Sequence, residues 1–168
     1  MSKEQPIHQN LLLRPAALAD ETFLETVYAE TRRGELAGLN WSREQENAFF
    51  KMQFRLQSQS YKMQFPDADC SVVKLNKISI GSLIVERAGE IRLVNIALLP
   101  EFRSRGIGTF LLKQLQTEAQ ATDKPLTLHV LKTNDRAVSL YRRCGFAVTG
   151  SDEFYLAMQW QNRRNEII

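Results

Sequence analysis

The chain has 168 residues, 43% hydrophobic and 24% charged, the balance of one compact domain with its own core and too little for two. Its longest apolar runs, such as "IALLP", fall far short of the roughly 20 residues that cross a bilayer, and the mean hydropathy is −0.31, so no membrane span and no membrane partner is expected. A net charge of +3 and a pI near 9.0 favour anionic partners, yet the basic residues are scattered without an aromatic-interleaved stripe, which speaks against nucleic acid and for a small phosphate-bearing ligand.

The opening "MSKEQPIHQN" is polar, with neither the apolar centre of a secretory signal nor the arginine-rich pattern of a transit peptide, and a cytoplasmic location is expected. "LLLR" at 11–14, stopped by Pro15, predicts a short strand. Asp20 is placed to cap a helix running to about Glu35, with Phe23, Leu24, Val27 and Tyr28 on its apolar side and Gly34 and Gly38 ending it. Ser42 and Gln45 have capping-box spacing and open a second helix, whose Phe49, Met52 and Leu56 share a face that Phe50 and Phe54 widen; Pro66 lies beyond its end.

From Cys70 the hydrophobic period becomes two. "CSVVKL", a turn at Asn76-Lys77, "ISIGSLIVER", a turn at Ala88-Gly89 and "EIRLVNIALL" predict an antiparallel meander. After "EFRSRGIG", Leu111, Leu112, Leu115 and Ala119 recur at helical spacing, and the strand "PLTLHVL" reached through that crossover is expected parallel to "EIRLVNIALL". Asn134 or Asp135 caps a short helix ending at Cys144, where Gly145 takes the left-handed position and Phe146 folds back. "FAVTG" and "EFYLAMQW" form a closing hairpin, and "QNRRNEII" reads as a loose tail. With no internal repeat, the sum is a mixed α/β (α+β) domain: a mostly antiparallel sheet of about seven strands with helices on both faces.

Cys70 and Cys144 have neither CxxC spacing nor a nearby histidine, so no metal site is expected and both read as small apolar fillers; the other reading, a thiol nucleophile at Cys144, lacks an adjacent base. The stretch "RSRGIG" between a strand and a helix points free N–H groups from the positive end of a helix dipole. Gly106 and Gly108 allow positive φ and close approach of a bulky ligand, and Arg103 and Arg105 add charge-assisted bonds to phosphate oxygens. A tight turn with solvated arginines is the alternative. Neither the GxxxxGK[ST] loop nor a GxGxxG fingerprint with its acidic residue is present.

"NIALLPEFRSRGIGTFLL", followed by a strand and then "NDRAVSLYRRCGF", resembles the acetyl-CoA signature of the GNAT (Gcn5-related) N-acetyltransferases. The family's R/Q-x-x-G-x-G/A loop is matched by Arg103, Gly106 and Gly108. Its N-x-x-A-x-x-L-Y-x-x-x-G-F segment is matched by Asn134, Ala137, Leu140, Tyr141, Gly145 and Phe146. The resemblance is strong over about 70–160 and loose over the first strand and helices. It implies a single GNAT-like domain over 1–168, with a cofactor half at about 70–160 and acceptor-side helices at about 20–62. The two central parallel strands would splay. Acetyl-CoA (coenzyme A) would be the cofactor, with the backbone of Ile96, Ala97 and Leu98 on its pantetheine arm. Arg103, Ser104, Arg105, Gly106, Ile107, Gly108 and Thr109 would hold its pyrophosphate, and Asn134 and Tyr141 would touch it in the gap. The implied reaction is direct acetyl transfer, in a ternary complex, to a primary amine of a small molecule, protein or peptide, by a monomer or homodimer. A noncatalytic acyl-CoA-binding module is the alternative, because no glutamate base is evident.

Tyr141 matches the family's general-acid position; it equally reads as a core residue beside Val138 and Leu140. His129, five positions before Asn134, lies where some relatives that acetylate protein N-termini carry a glutamate base, or it is a satisfied strand histidine. Need for a base depends on the amine, since an α-amino group is about a tenth neutral at pH 7 and a lysine only about once in several thousand molecules. The N–H of Ala97 or Leu98 is the candidate oxyanion donor, and Asn95 could orient a water. Glu90, Arg92 and Glu101 read as strand-end decoration. In "ETRRGELAGLNW", the residues Glu30, Arg32, Arg33, Glu35 and Trp41 either set acceptor specificity or form a solvated helix end with a Trp lid.

Overall fold

In the computed structural model, which describes residues 7–162, the chain forms a seven-stranded sheet of order β1-β2-β3-β4-β5-β7-β6. The strands are β1 (Leu11–Pro15), β2 (Asp69–Leu75), β3 (Ile78–Arg87), β4 (Ile91–Leu98), β5 (Leu126–Leu131), β6 (Phe146–Ser151) and β7 (Tyr155–Trp160). The helices are α1 (Glu21–Arg32), α2 (Arg43–Gln64), α3 (Ile107–Thr122) and α4 (Asp135–Arg143). Every ladder is antiparallel except β4 with β5, the pair joined by the α3 crossover. Asn76 and Lys77 both take positive φ, +50° and +69°, the geometry of the tight turn expected there. The N-terminal residues 1–6 and the tail from 163 onward lie outside the described residues.

The main core lies between the sheet and α3 with α4. Leu111, Leu112, Leu115 and Ala119 of α3 pack on Leu83, Val85, Ile91, Leu93, Leu126, Leu128 and Met158, joined by Val138 and Tyr141 from α4. On the opposite face α1 packs against β3 and β4, and Val27 and Val72 are fully buried there.

Two local expectations shift. Asp20 does not cap α1 with its side chain. Its carboxylate is taken by the Arg14 guanidinium at 2.6 and 2.9 Å and by the Ala17 N–H at 2.7 Å, because a bidentate charged pair outcompetes a single cap bond. The Ser42–Gln45 capping box forms in both directions, at 2.9 and 3.2 Å. The α2 helix it opens is rotated from the expected face, with Met52 and Leu56 half exposed. Phe50 and Phe54 form the buried seam instead, their rings edge-on to Tyr28 of α1 at 6.4 and 5.9 Å.

β4 carries the feature that positions the site. Its pairing with β5 stops after Leu93↔Leu128, and its register with β3 slips between Val85↔Leu93 and Ile84↔Asn95, leaving Val94 as an extra, bulged residue. A one-residue bulge reverses the alternation of everything after it. Ile91 and Leu93 face the α3 core, and beyond the bulge it is Ile96 and Leu98 that pack there, so Asn95 and Ala97 turn to the α1 face. Opposite this stretch, a Cβ on Gly81 would lie 2.2 Å from the Ala97 carbonyl oxygen. Backbone cannot yield cheaply, so Gly81→Ala should displace the end of β4 and lower unfolding stability by about 1–3 kcal/mol, read as a lower urea midpoint at unchanged m-value; an unaltered midpoint would contradict this packing.

Candidate functional site

Beyond Leu93 and Leu128 the parallel strands part, and each is held from its outer side only: β4 by β3, β5 by β7. The Leu99 N–H donates to the Ile80 carbonyl at 2.9 Å. Antiparallel alternation carried back from that bond turns the peptide groups of Asn95 and Ala97 toward β3 and those of Ile96 and Leu98 toward the gap. Of the three expected contact residues, Ile96 therefore turns its backbone and Leu98 its N–H toward the gap, the Leu98 carbonyl being taken by Arg103, while Ala97 spends its backbone on β3. Between the two oxyanion candidates, the same alternation favours Leu98.

At the mouth of the gap the chain turns into α3. Ser104 and Gly106 adopt left-handed φ, +59° and +78°, and curl the loop so that successive amides converge. The N–H groups of Ser104, Arg105, Gly106, Ile107, Gly108 and Thr109 have no acceptor among the described residues; the first amide satisfied is that of Phe110, on the Gly106 carbonyl at 3.0 Å. Six amides at the positive end of a sixteen-residue helix make an anion cradle. Gly108 departs from expectation. It lies inside the first turn of α3, and a Cβ there would meet Leu140 Cδ2 at 3.3 Å, so this glycine lets α3 approach α4.

Three arginines surround the loop. Arg103 donates from Nε to the Leu98 carbonyl at 3.1 Å, tying the loop to the end of β4, and burial together with the neighbouring Arg136 charge lowers its pKa. Arg105 lies over the Phe102 ring at 5.3 Å. Arg136, in the first turn of α4, donates to Ser104 Oγ at 2.9 Å. It belongs to this cluster and escaped the sequence reading, although it stands two residues after Asn134 in the motif already singled out. Asn134 itself caps α4 by accepting from the Ala137 N–H at 3.2 Å, which commits its oxygen and leaves its NH₂ as the group for a ligand.

Tyr141 is 6% exposed, packed at 5.8 Å against Phe146, and burial pushes its pKa up to about 12. Its hydroxyl has no hydrogen bond among the described residues and is not sealed from solvent. A phenol held protonated and unbonded is equipped to donate. Cys144 has its thiol pKa raised by burial, as has Cys70, so neither is poised as a thiolate nucleophile.

His129 is the first β5 residue beyond the parting, exposed and opposite Ala157 of β7. It projects from the face opposite the core that holds Tyr141, alongside Thr127 and Leu131, and it makes no hydrogen bond among the described residues. The candidate acid and the candidate base thus stand on the two sides of the gap. Nearby on the α1–α2 layer, Glu30 and Arg33 border a cleft of about 440 Å³ and are consumed in ion pairs, Arg33 holding Glu30 at 2.8 Å and Glu46 at 2.9 Å. Glu90 and Arg92 pair with each other, and Trp41 lies edge-on to Phe49 at 5.4 Å as a lid on α2.

A model of the acetyltransferase (GNAT) family matches residues 35–146. Among solved structures, the PaiA N-acetyltransferase from Thermoplasma acidophilum in complex with coenzyme A aligns at TM-score 0.67 and 20% identity, over 90% of this chain and 98% of that one. A GNAT family acetyltransferase from Elizabethkingia anophelis with acetyl-CoA bound aligns at 0.60 and 16%, over 92% and 99%. A chimera of the spermidine N-acetyltransferase SpeG from Vibrio cholerae and hSSAT aligns at 0.62 and 20%, over 95% and 99%. At these identities the three share the fold.

The burial of Tyr141 has a measurable sign. In the unfolded chain a tyrosine releases its proton near pH 10, while the folded protein keeps it to about 12. Between those values the native state binds more protons, so stability falls as pH rises. Tyr141→Phe should remove about 2–3 kcal/mol of that fall, measured as the difference in unfolding free energy between pH 9 and the highest pH at which the protein refolds. Equal slopes would show a solvated phenol.

Proposed function

Because the chain belongs to the acetyltransferase (GNAT) family, we propose that it transfers an acetyl group from acetyl-CoA to a primary amine of a small molecule, protein or peptide, with both substrates bound at once. The observation that carries this reading is the run of six unpaired amides from Ser104 to Thr109, set beside a strand end whose gap-facing peptides belong to Ile96 and Leu98. The cradle matches a pyrophosphate in charge and donor count, and the strand edge matches the amides of a pantetheine arm, which can add to it as an extra strand. Arg103, Arg105 and Arg136 supply the surrounding positive charge.

The cofactor supplies an activated acetyl thioester. The chain supplies the placement and the protons. A gap-facing N–H, best that of Leu98, is fixed by the β4 ladder and can donate to an oxygen gaining negative charge without reorganising. Tyr141 Oη keeps its proton at neutral pH and can deliver it to a departing sulfur. His129, on the acceptor side, can take a proton from the incoming ammonium directly or through a water, and Asn95, turned to the same side by the bulge, can orient that water. Neither raised thiol supports a covalent acetyl-enzyme.

The experiment is release of free coenzyme A from acetyl-CoA in the presence of a panel of primary amines, beside the affinity for acetyl-CoA measured by calorimetry. Amine-dependent release supports the proposal, whereas binding without release on any amine favours the noncatalytic module. Tyr141→Phe should lower kcat by about a hundredfold with little change in acetyl-CoA affinity; equal turnover would remove the acid role. Gly106→Val forces a β-branched residue into the left-handed region and should weaken acetyl-CoA binding by at least about tenfold, with circular dichroism confirming the fold. His129→Ala should alter the acidic limb of the kcat/KM profile, and a superimposable profile would dismiss it as base.

A further inference from the structure

Arg32 and Arg33 are neighbours at the end of α1 with opposite fates. Arg33 turns to the outer cleft, where Glu30 and Glu46 neutralise it. Arg32 instead lies over the Tyr28 ring, its guanidinium carbon 3.9 Å from the ring centre. Its one hydrogen bond among the described residues is to the Thr31 hydroxyl at 3.3 Å, and no carboxylate there pairs with it. Glu35 reaches electrostatic range of Tyr28 without forming an ion pair with Arg32. A half-buried guanidinium stacked on an aromatic ring and lacking a counter-ion is an arrangement suited to an anion from outside the chain.

The surroundings say where that anion would sit. Tyr61 of α2 lies within electrostatic range of Arg32, Tyr28 and Tyr155, so α1, α2 and the start of β7 converge on this point. In the β5–β7 ladder Leu131 faces Tyr155 and His129 faces Ala157, which puts Tyr155 and His129 on one face of the sheet, diagonally adjacent. The arginine and the three tyrosines therefore border the side of the gap from which an acceptor must reach the acetyl group. Burial keeps the phenols of Tyr28 and Tyr61 protonated, as hydrogen-bond donors.

We propose that Arg32, flanked by Tyr28, Tyr61 and Tyr155, receives a carboxylate of the acceptor, making the acceptor an amino acid-like molecule with an apolar or aromatic body. The inference rests on the acetyltransferase reading above. A polyamine suits this cluster poorly, because a second ammonium would approach the Arg32 guanidinium. A planar guanidinium also holds a carboxylate by two parallel bonds, fixing the direction in which the amine points.

The test compares kcat/KM for the free acids, carboxamides and decarboxylated amines of phenylalanine and methionine, with spermidine as the cationic control. The acids should exceed their amides by at least about tenfold. Arg32→Gln should bring that ratio close to one, chiefly through KM, while leaving turnover on the amides; Arg32→Lys should keep part of the preference. Amides or spermidine used as well as the acids, or a ratio unmoved in Arg32→Gln, would overturn the carboxylate assignment and leave acetyl transfer standing. If no amine is acetylated, calorimetric titration of the same acids into the coenzyme A-loaded protein decides the point separately: binding lost in Arg32→Gln supports the subsite, and binding absent or unaffected overturns it.

Discussion

The single-residue bulge at Val94 is the constraint on which the site depends. A parallel pair continued to its ends would satisfy its own peptide groups and present no edge. Here the β4–β5 ladder stops after Leu93↔Leu128, and the slip at Val94 turns the peptides of Ile96 and Leu98 into the opening. The same slip moves Asn95 from the α3 face to the α1 face. One extra residue thus makes a strand edge inside a sheet and assigns its two faces to different tasks.

The division runs through the molecule. On one side, α3 and α4 share the large core, and the loop into α3 with the first turns of both helices carries the unpaired amides and the arginines that suit a polyanion. On the other, α1 and α2 meet through aromatic edges around Tyr28, and His129 and Asn95 turn to that face. Tyr141 and His129 lie on opposite faces of the sheet. The phenol proposed as proton donor and the imidazole proposed as proton acceptor are thereby kept on separate faces of the sheet.

Much of this was legible in the residues, and the parts that were not share a cause. The α3 stripe, the Ser42–Gln45 box, the Asn76-Lys77 turn and the left-handed Gly145 depend on neighbours within a few positions, and each forms as expected. The bulge at Val94 depends on the register of β3, a partner strand whose own slip against β2, at Ile80, no local pattern announces. The burial of Phe50 in place of Met52 and Leu56 is decided by where Tyr28 stands across the helix pair. Asp20 was read as a cap because Arg14, its partner, is six residues away on a strand. Arg136 was within a recognised motif, yet its link to Ser104 spans two helix starts that only the fold brings together.

The place of β7 has a consequence for the life of the chain. It inserts between β5 and β6, so the outer half of β5, from His129 to Leu131, is braced only by the last strand of the described fold. Until β7 is in place, that half of β5 has both backbone edges unpaired, attractive to any passing strand. Bracing of the β5 side of the gap therefore waits until the β6–β7 hairpin docks. A chain stalled before that moment presents an unpaired strand edge inside what becomes the middle of the sheet.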